Sequence, residues 1–282
     1  MRNICRCRLL LLACLGAVLL ATALGAWFNR PGSAQEPPRA APPADRVPLP
    51  PADGPGTEPG TDPGTEPGMP RPGYDYSRPV PEAEGELPEG YFTDAVFIGD
   101  SRTRGLELFG ELEAVFYAAT GLNVRTASSK AVIAQGEKKV TVLEALRRRP
   151  FGKVYIMLGI NELGWAYPEI FIEKYAELVQ AIREINPGVL LYVQSLLPVT
   201  AERDDKDDIY NNDKIRLYNE LLRELAAKEK FYFLDVAACF TDEEGNLPAG
   251  AATDGIHLKA EYCRRWAEYL RKHFIVAEEG AT

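Results

Sequence analysis

Histidine is nearly absent: the 282 residues hold two, His257 and His273. With so little imidazole and no cluster of His, Cys and Asp at metal-ligand spacing, no metal centre is expected. Cysteine is scarce too. Of five, Cys5, Cys7 and Cys14 fall in the first 30 residues, leaving Cys239 and Cys263 to the rest. These two could pair in an exported protein, but two small buried thiols are the simpler reading. An excess of positive charge is also lacking, since 32 Lys and Arg face 41 Asp and Glu for a formal net charge of −9. A phosphate backbone would be repelled, which argues against a generic nucleic-acid binder.

The acidic total hides three unlike segments. Residues 1–30 carry four Arg and no acid, a charge of +4, whereas residues 31–90 carry −7 and residues 91–282 carry −6. Proline is as uneven, with 17 of its 22 copies between Pro31 and Pro88. From Leu9 to Phe28 the chain runs 20 residues without a charge, and about 20 apolar residues suffice for a helix to cross a bilayer. Arg2, Arg6 and Arg8 precede the run, so the bulk of the chain is expected on the extracytoplasmic side, membrane-anchored through residues 9–28. Ala21-Thr22-Ala23 has the small-x-small form of a signal-peptidase site, and cleavage there would give a secreted protein. The length of the run favours the retained signal anchor over a cleaved signal peptide. A lipoprotein box at Leu11-Leu12-Ala13-Cys14 is disfavoured, because few apolar residues come before Cys14. Residues 31–90 include the repeat PGTE, PGTD, PGTE from Pro55 and show no apolar periodicity. Such a segment cannot bury enough surface to offset its ordering entropy and reads as a disordered linker. As a flexible coil it would span about 45 Å, and as polyproline II about 190 Å.

Only residues 91–275 can build a conventional core, and their number suits one domain; residues 276–282 are left as a tail. Short apolar runs here alternate with amphipathic stretches. The runs Ala95–Ile98, Val115–Ala118, Val154–Leu158, Leu190–Val193 and Phe231–Leu234 read as strands. Helices are expected from near Arg102, over Lys138–Arg148, from Pro168 to a stop at Asn186-Pro187-Gly188, over Ile209–Lys228 and over Lys259–Phe274. Alternation of this kind implies an α/β fold with a mostly parallel five-stranded sheet covered on both faces. Ligands in such sheets bind at the carboxyl ends of the strands, so chemistry is sought in the residues that follow each run.

Gly99-Asp100-Ser101 follows the first run, placing a serine at or near a helix amino terminus, where partial positive charge favours an oxyanion. On the tripeptide alone, an ordinary helix cap explains it better. Gly159-Ile160-Asn161-Glu162 follows the third run, where Asn161 is either a turn residue or a side-chain amide able to donate to an oxyanion. Asp254-Gly255-Ile256-His257 precedes the last helix, and its three-residue step can set a carboxylate against one imidazole nitrogen while the other takes a proton. His273, beside Arg271 and Lys272 at a helix end, suits a solvated or dipole-complementing role. That leaves His257 as the only credible general base. Ser128, Ser129 and Ser195 lack a glycine turn to present them and read as structural.

Serine after the first strand, asparagine after the third and Asp-x-x-His before the last helix together resemble the SGNH (GDSL-type) hydrolases, a family of serine esterases and lipases with a flavodoxin-like three-layer fold. The resemblance spans residues 91–275. It implies Ser101 as nucleophile, His257 and Asp254 as its triad partners, and an oxyanion hole from the N–H groups of Ser101 and Gly121 with the Asn161 amide. Gly136 is an alternative to Gly121. Arg102 stands where the family motif has leucine, and Glu162 where the asparagine block commonly has aspartate. Arg102 and Arg104 would favour an anionic substrate unless Arg102 pairs with Glu162, which is the expectation. The reaction implied is acyl transfer from an ester, with no cofactor. An exported, tethered domain points to an O-acyl ester, foremost O-acetyl, on a cell-envelope or extracellular glycan. The alternatives are an O-acetyltransferase built on the same triad and a non-catalytic glycan-binding module.

Overall fold

The computed structural model describes residue 71 and residues 73–207 and 209–276. The leader, the anchor over residues 9–28, most of the linker and the tail from residue 277 lie outside these. Among the described residues no helix is long and apolar enough to cross a membrane.

Five parallel strands form one sheet: β1 (Ala95–Gly99), β2 (Val115–Ala118), β5 (Lys153–Met157), β6 (Leu190–Gln194) and β7 (Tyr232–Leu234), in the order β2-β1-β5-β6-β7. The runs lack an apolar–polar alternation because both faces of the sheet are covered; β1 and β6 are buried along their whole length. The chain moves one way from β1 to β2 and the other way from β5 through β6 to β7. Right-handed crossovers therefore put α1 (Ser101–Phe109) on one face, and α4 (Pro168–Ile185) and α6 (Asn212–Glu229) on the other. Helix α7 (Ala260–Lys272) packs on α1, and α4 packs on α6. The result is the three-layer α/β architecture expected.

One rung of the sheet is aromatic on every strand. Phe116, Phe97, Tyr155, Tyr192 and Tyr232 are in-register partners, with successive ring centroids 4.9, 4.6, 4.5 and 5.4 Å apart. Each such pair adds about 0.5–1.5 kcal/mol beyond its buried area.

Two expectations need correction. The helix expected over Lys138–Arg148 is a hairpin of β3 (Ile133–Gln135) and β4 (Lys138–Val140), turning at Gly136 and Glu137, followed by a short helix α3 (Val142–Leu146). The apolar spacing of Val142, Leu143 and Leu146 was helical, but Thr141 starts that helix: its hydroxyl accepts from Glu144 N–H while the Glu144 carboxylate accepts from Thr141 N–H. The linker also ends earlier than Gly90. Tyr76 and Val80 are buried, Val80 N–H donates to Phe233 O (2.8 Å) and Ala83 N–H to Lys272 O (2.8 Å). Tyr74 and Tyr76 extend the aromatic rung past Tyr232. The strap covers part of the edge strand β7, which would otherwise present unpaired backbone groups. Proline-rich composition concealed the three apolar side chains that hold it down.

Candidate active site

Helix α1 begins two residues after β1, and only glycine allows so abrupt a start at Gly99. A Cβ there would lie 1.9 Å from Thr103 Oγ1 and 2.9 Å from the Met157 carbonyl oxygen. Asp100 is the cap, its carboxylate accepting from Arg102 N–H at 2.8 Å. That leaves Ser101 as the first residue of the helix, free of the capping duty its position suggested. Its N–H is one of the first-turn donors that a helix leaves without an internal partner.

Ser101 Oγ lies 2.9 Å from His257 Nε2, and His257 Nδ1 lies 2.7 Å from Asp254 Oδ2. The other carboxylate oxygen of Asp254 accepts from the N–H groups of His257 (2.8 Å) and Ile256 (3.0 Å). Partial burial alone would raise the Asp254 carboxyl, but these hydrogen bonds hold it down at about 2. Asp254 is thus an acceptor only, so neutral His257 carries its proton on Nδ1. The Nε2 lone pair then faces the Ser101 hydroxyl. The turn that makes this possible needs Gly255, at φ +83°, where a Cβ would come within 2.7 Å of both Thr200 Oγ1 and Arg203 Cβ. Thr200 N–H donates to Gly255 O at 3.1 Å and braces the turn from the loop after β6, where Thr200 caps the short helix α5 (Ala201–Asp204).

The two remaining candidates meet through Leu122. Asn161, on a 3-10 turn just past β5, donates one amide N–H to Leu122 O at 3.0 Å, which leaves its second N–H. Gly121 precedes Leu122 at φ +75°, and its N–H takes no partner among the described residues. Gly136 sits in the separate β3–β4 hairpin rather than in a loop at the end of the parallel sheet. Of the serines read as structural, Ser195 Oγ accepts from Ala237 N–H (2.8 Å) and Ser129 Oγ donates to Arg125 O (3.0 Å). Ser128 is the C-cap of the four-residue helix α2 (Val124–Ala127). His273 stacks on Tyr269 and bonds its carbonyl at the end of α7. Cys239 and Cys263 are free thiols, pushed up by burial to about 12 and about 11.

Arg102 does not pair with Glu162. Its buried guanidinium donates to the carbonyls of Leu197 (2.6 Å) and Pro198 (3.3 Å), tying α1 to the loop after β6. Arg104 pairs with Glu107 at the surface. Arg102, buried and bonded to the Leu197 and Pro198 carbonyls, is not free to attract an anionic substrate. Glu162, fully buried, accepts from Val124 N–H at 2.7 Å. Glu162 and Asn161 therefore fasten the loop that carries Gly121 at two points. Desolvation pushes the Glu162 carboxyl up to about 8, with the nearby Asp100 charge adding to it; desolvation likewise lifts Asp100 to about 6 and depresses Arg102 to about 10. This buried set was missed by sequence reasoning. The only signal was the position of each residue directly beside a candidate, since nothing in composition marks an ionisable side chain as buried.

A model of the GDSL-like lipase/acylhydrolase family matches residues 97–265, a span reaching from β1 to α7 and enclosing Ser101, Gly121, Asn161, Asp254 and His257. The chain belongs to this family. Its solved likenesses include a protein from Streptococcus pneumonia described provisionally as a platelet activating factor, at 22% identity and a TM-score of 0.51 over 63% of this chain and 82% of that one. A GDSL-like lipase from Bacteroides thetaiotaomicron is 16% identical at a TM-score of 0.47, covering 67% and 89%. A carbohydrate acetylesterase from Sinorhizobium meliloti is 16% identical at 0.43, covering 63% and 96%. No curated protein matches by sequence. In this GDSL-like acylhydrolase, among the described residues, no three His, Cys, Asp or Glu side chains are grouped as metal ligands.

Proposed function

We propose that this acylhydrolase is an exported serine esterase that cleaves short O-acyl esters, foremost O-acetyl, on a cell-envelope or extracellular glycan. One observation carries the chemistry: the unbroken relay from Ser101 Oγ through the His257 ring to Asp254, with links of 2.9 and 2.7 Å. Ser101 Oγ attacks the ester carbonyl as His257 Nε2 takes its proton, and ionised Asp254 stabilises the imidazolium. The oxyanion meets the N–H groups of Ser101 and Gly121 and the second N–H of Asn161, where removing one donor costs about a hundredfold or more in rate. His257 returns the proton to the departing alcohol. Water then attacks the acyl-serine, giving its proton to His257, and the acid leaves as Ser101 regains its own.

The glycan follows from location. A charge-free run behind three arginines, joined to the domain by a long acidic linker, suits an enzyme held by a membrane and reaching outward. The test is Ser101→Ala in the purified chain with p-nitrophenyl acetate as substrate: hydrolysis should drop to background, and a surviving rate rejects the relay. Turnover that requires an added glycan acceptor would make the protein a transferase instead.

A further inference from the structure

A concavity of about 340 Å³ lies at the carboxyl end of the sheet, between α6 and the loops that follow β6 and β7. Its size falls within the range of small-ligand sites, roughly 300–1,000 Å³. Pro198, Ile215 and Phe233 are among its lining residues, together with Glu220, Arg223 and Asp235. Glu220 and Arg223 stand one turn apart on α6 and Asp235 directly follows β7, yet none of the three side chains makes a hydrogen bond or ion pair among the described residues. Glu220 and Arg223 are exposed and Asp235 half-buried, so the lining offers solvent-facing donors and acceptors beside apolar carbon. An acyl chain would leave these charges unmatched, and an anionic polymer would meet carboxylates. A neutral sugar satisfies both sets, because each hydroxyl donates and accepts while its C–H faces pack on apolar side chains.

We propose that this groove is a subsite for the main chain of a neutral glycan whose acyl ester is presented to Ser101, an inference that rests on the ester-hydrolase reading of that serine. Ser101 follows β1 and Asp235 follows β7, three strand positions away in the sheet order; at about 4.8 Å per position the two lie about 14 Å apart across the sheet. An oligosaccharide of a few units bridges that distance and a monosaccharide ester does not. The groove is also joined to the reacting end of α1, since the carbonyl of its lining residue Pro198 accepts from Arg102.

The test uses the full chain carrying Ser101→Ala, titrated calorimetrically with xylohexaose and with chitohexaose as neutral probes and with an oligogalacturonate as the anionic one. At least one neutral hexamer should bind, and Arg223→Ala and Asp235→Asn should each weaken it about tenfold, the loss of one charge-assisted hydrogen bond. With Ser101 restored, both variants should hydrolyse p-nitrophenyl acetate at the parent rate, which also reports that they fold; if either fails that control, Glu220→Gln carries the same expectation. Binding of neither neutral hexamer, preference for the anionic probe, or unchanged affinity in the folded variants overturns the subsite. A Ser101→Ala chain that still hydrolyses p-nitrophenyl acetate rejects the catalytic reading instead, whatever the titrations show.

Discussion

Glu162 makes the domain's stability fall as pH rises, and the size of the effect follows from its burial. The side chain is fully buried, Oε1 accepts from Val124 N–H at 2.7 Å, and Oε2 has no hydrogen-bond partner among the described residues. Desolvation, with the Asp100 charge adding to it, sets its folded-state value at about 8 against an ordinary 4.5. The native state therefore holds a proton that the unfolded chain releases across this range. Stability is fully present below the unfolded value and is lost as pH climbs through the folded one. Asp100, raised from 3.8 to about 6, acts in the same direction at lower pH and is largely spent by pH 6. Between about pH 6 and pH 9 the slope belongs mainly to Glu162, and integrating the linkage over that window gives a loss of about 2–3 kcal/mol. Urea unfolding followed by tryptophan fluorescence at several pH values measures it directly. Glu162→Gln keeps the acceptor for Val124 and has nothing to ionise, so its unfolding free energy should be flat where the parent's falls. An equal slope in the variant refutes the assignment, and a parent that gains stability toward pH 9 refutes the burial argument itself.

Three further outcomes are expected. Arg102→Leu installs the residue usual in the family motif, so the chain should fold. The Leu197 and Pro198 carbonyls lose their donors, at about 1–3 kcal/mol for each left unsatisfied, and kcat on p-nitrophenyl acetate should fall with KM little changed, whereas unchanged urea curves and rates would show that the clamp does nothing. Gly255→Ala forces a side chain into φ +83° against Thr200 and Arg203. The backbone strain alone costs about 1–2 kcal/mol, and because the turn holds Asp254 and His257 the loss of activity should exceed the loss of stability; wild-type turnover would contradict this. Tyr76→Ala removes a buried ring that packs 4.8 Å from Tyr74 and 5.4 Å from Tyr232. Aromatic truncations in cores cost about 3–5 kcal/mol, so limited proteolysis should then cut before Gly90, and resistance equal to the parent's would mean that the strap is not held by this ring.

What could be read from the chain alone was whatever chemistry demands of residue type. A general base needs an imidazole, and with two histidines, one at a helix end, His257 was left by elimination. Strands covered on both faces need unbroken apolar runs, and all five strands of the parallel sheet stood out for that reason. Lys138–Val140 hid because three residues of a hairpin carry too little pattern to compete with the helical spacing that follows them. Arg102 was misjudged for a different cause. Charge complementarity suggested Glu162 as its partner, whereas backbone carbonyls of a loop 95 residues away along the chain accept from its Nη1 and Nη2. Local sequence carries no information about such a partner.

The residues that hold the site in shape are accordingly those that looked most ordinary. Ser101, Asp254 and His257 lie toward solvent, the last two with about half of each side chain exposed, and exposed groups of this kind hold a geometry poorly on their own. Asp100, Arg102 and Glu162 lie beneath them, each more than nine-tenths buried. Asp100 starts the helix that presents Ser101. Arg102 anchors that helix to the loop whose Thr200 braces the Asp254–His257 turn, and Glu162 fixes the loop of Gly121. Burying three ionisable groups costs their hydration, a cost that their hydrogen bonds to the backbone offset only in part. Each of the three instead fastens a segment that carries a site residue, which ties its place at the end of β1 or β5 to the precision of the site. Apolar substitutions among these three should, on that argument, leave a folded domain with a displaced relay.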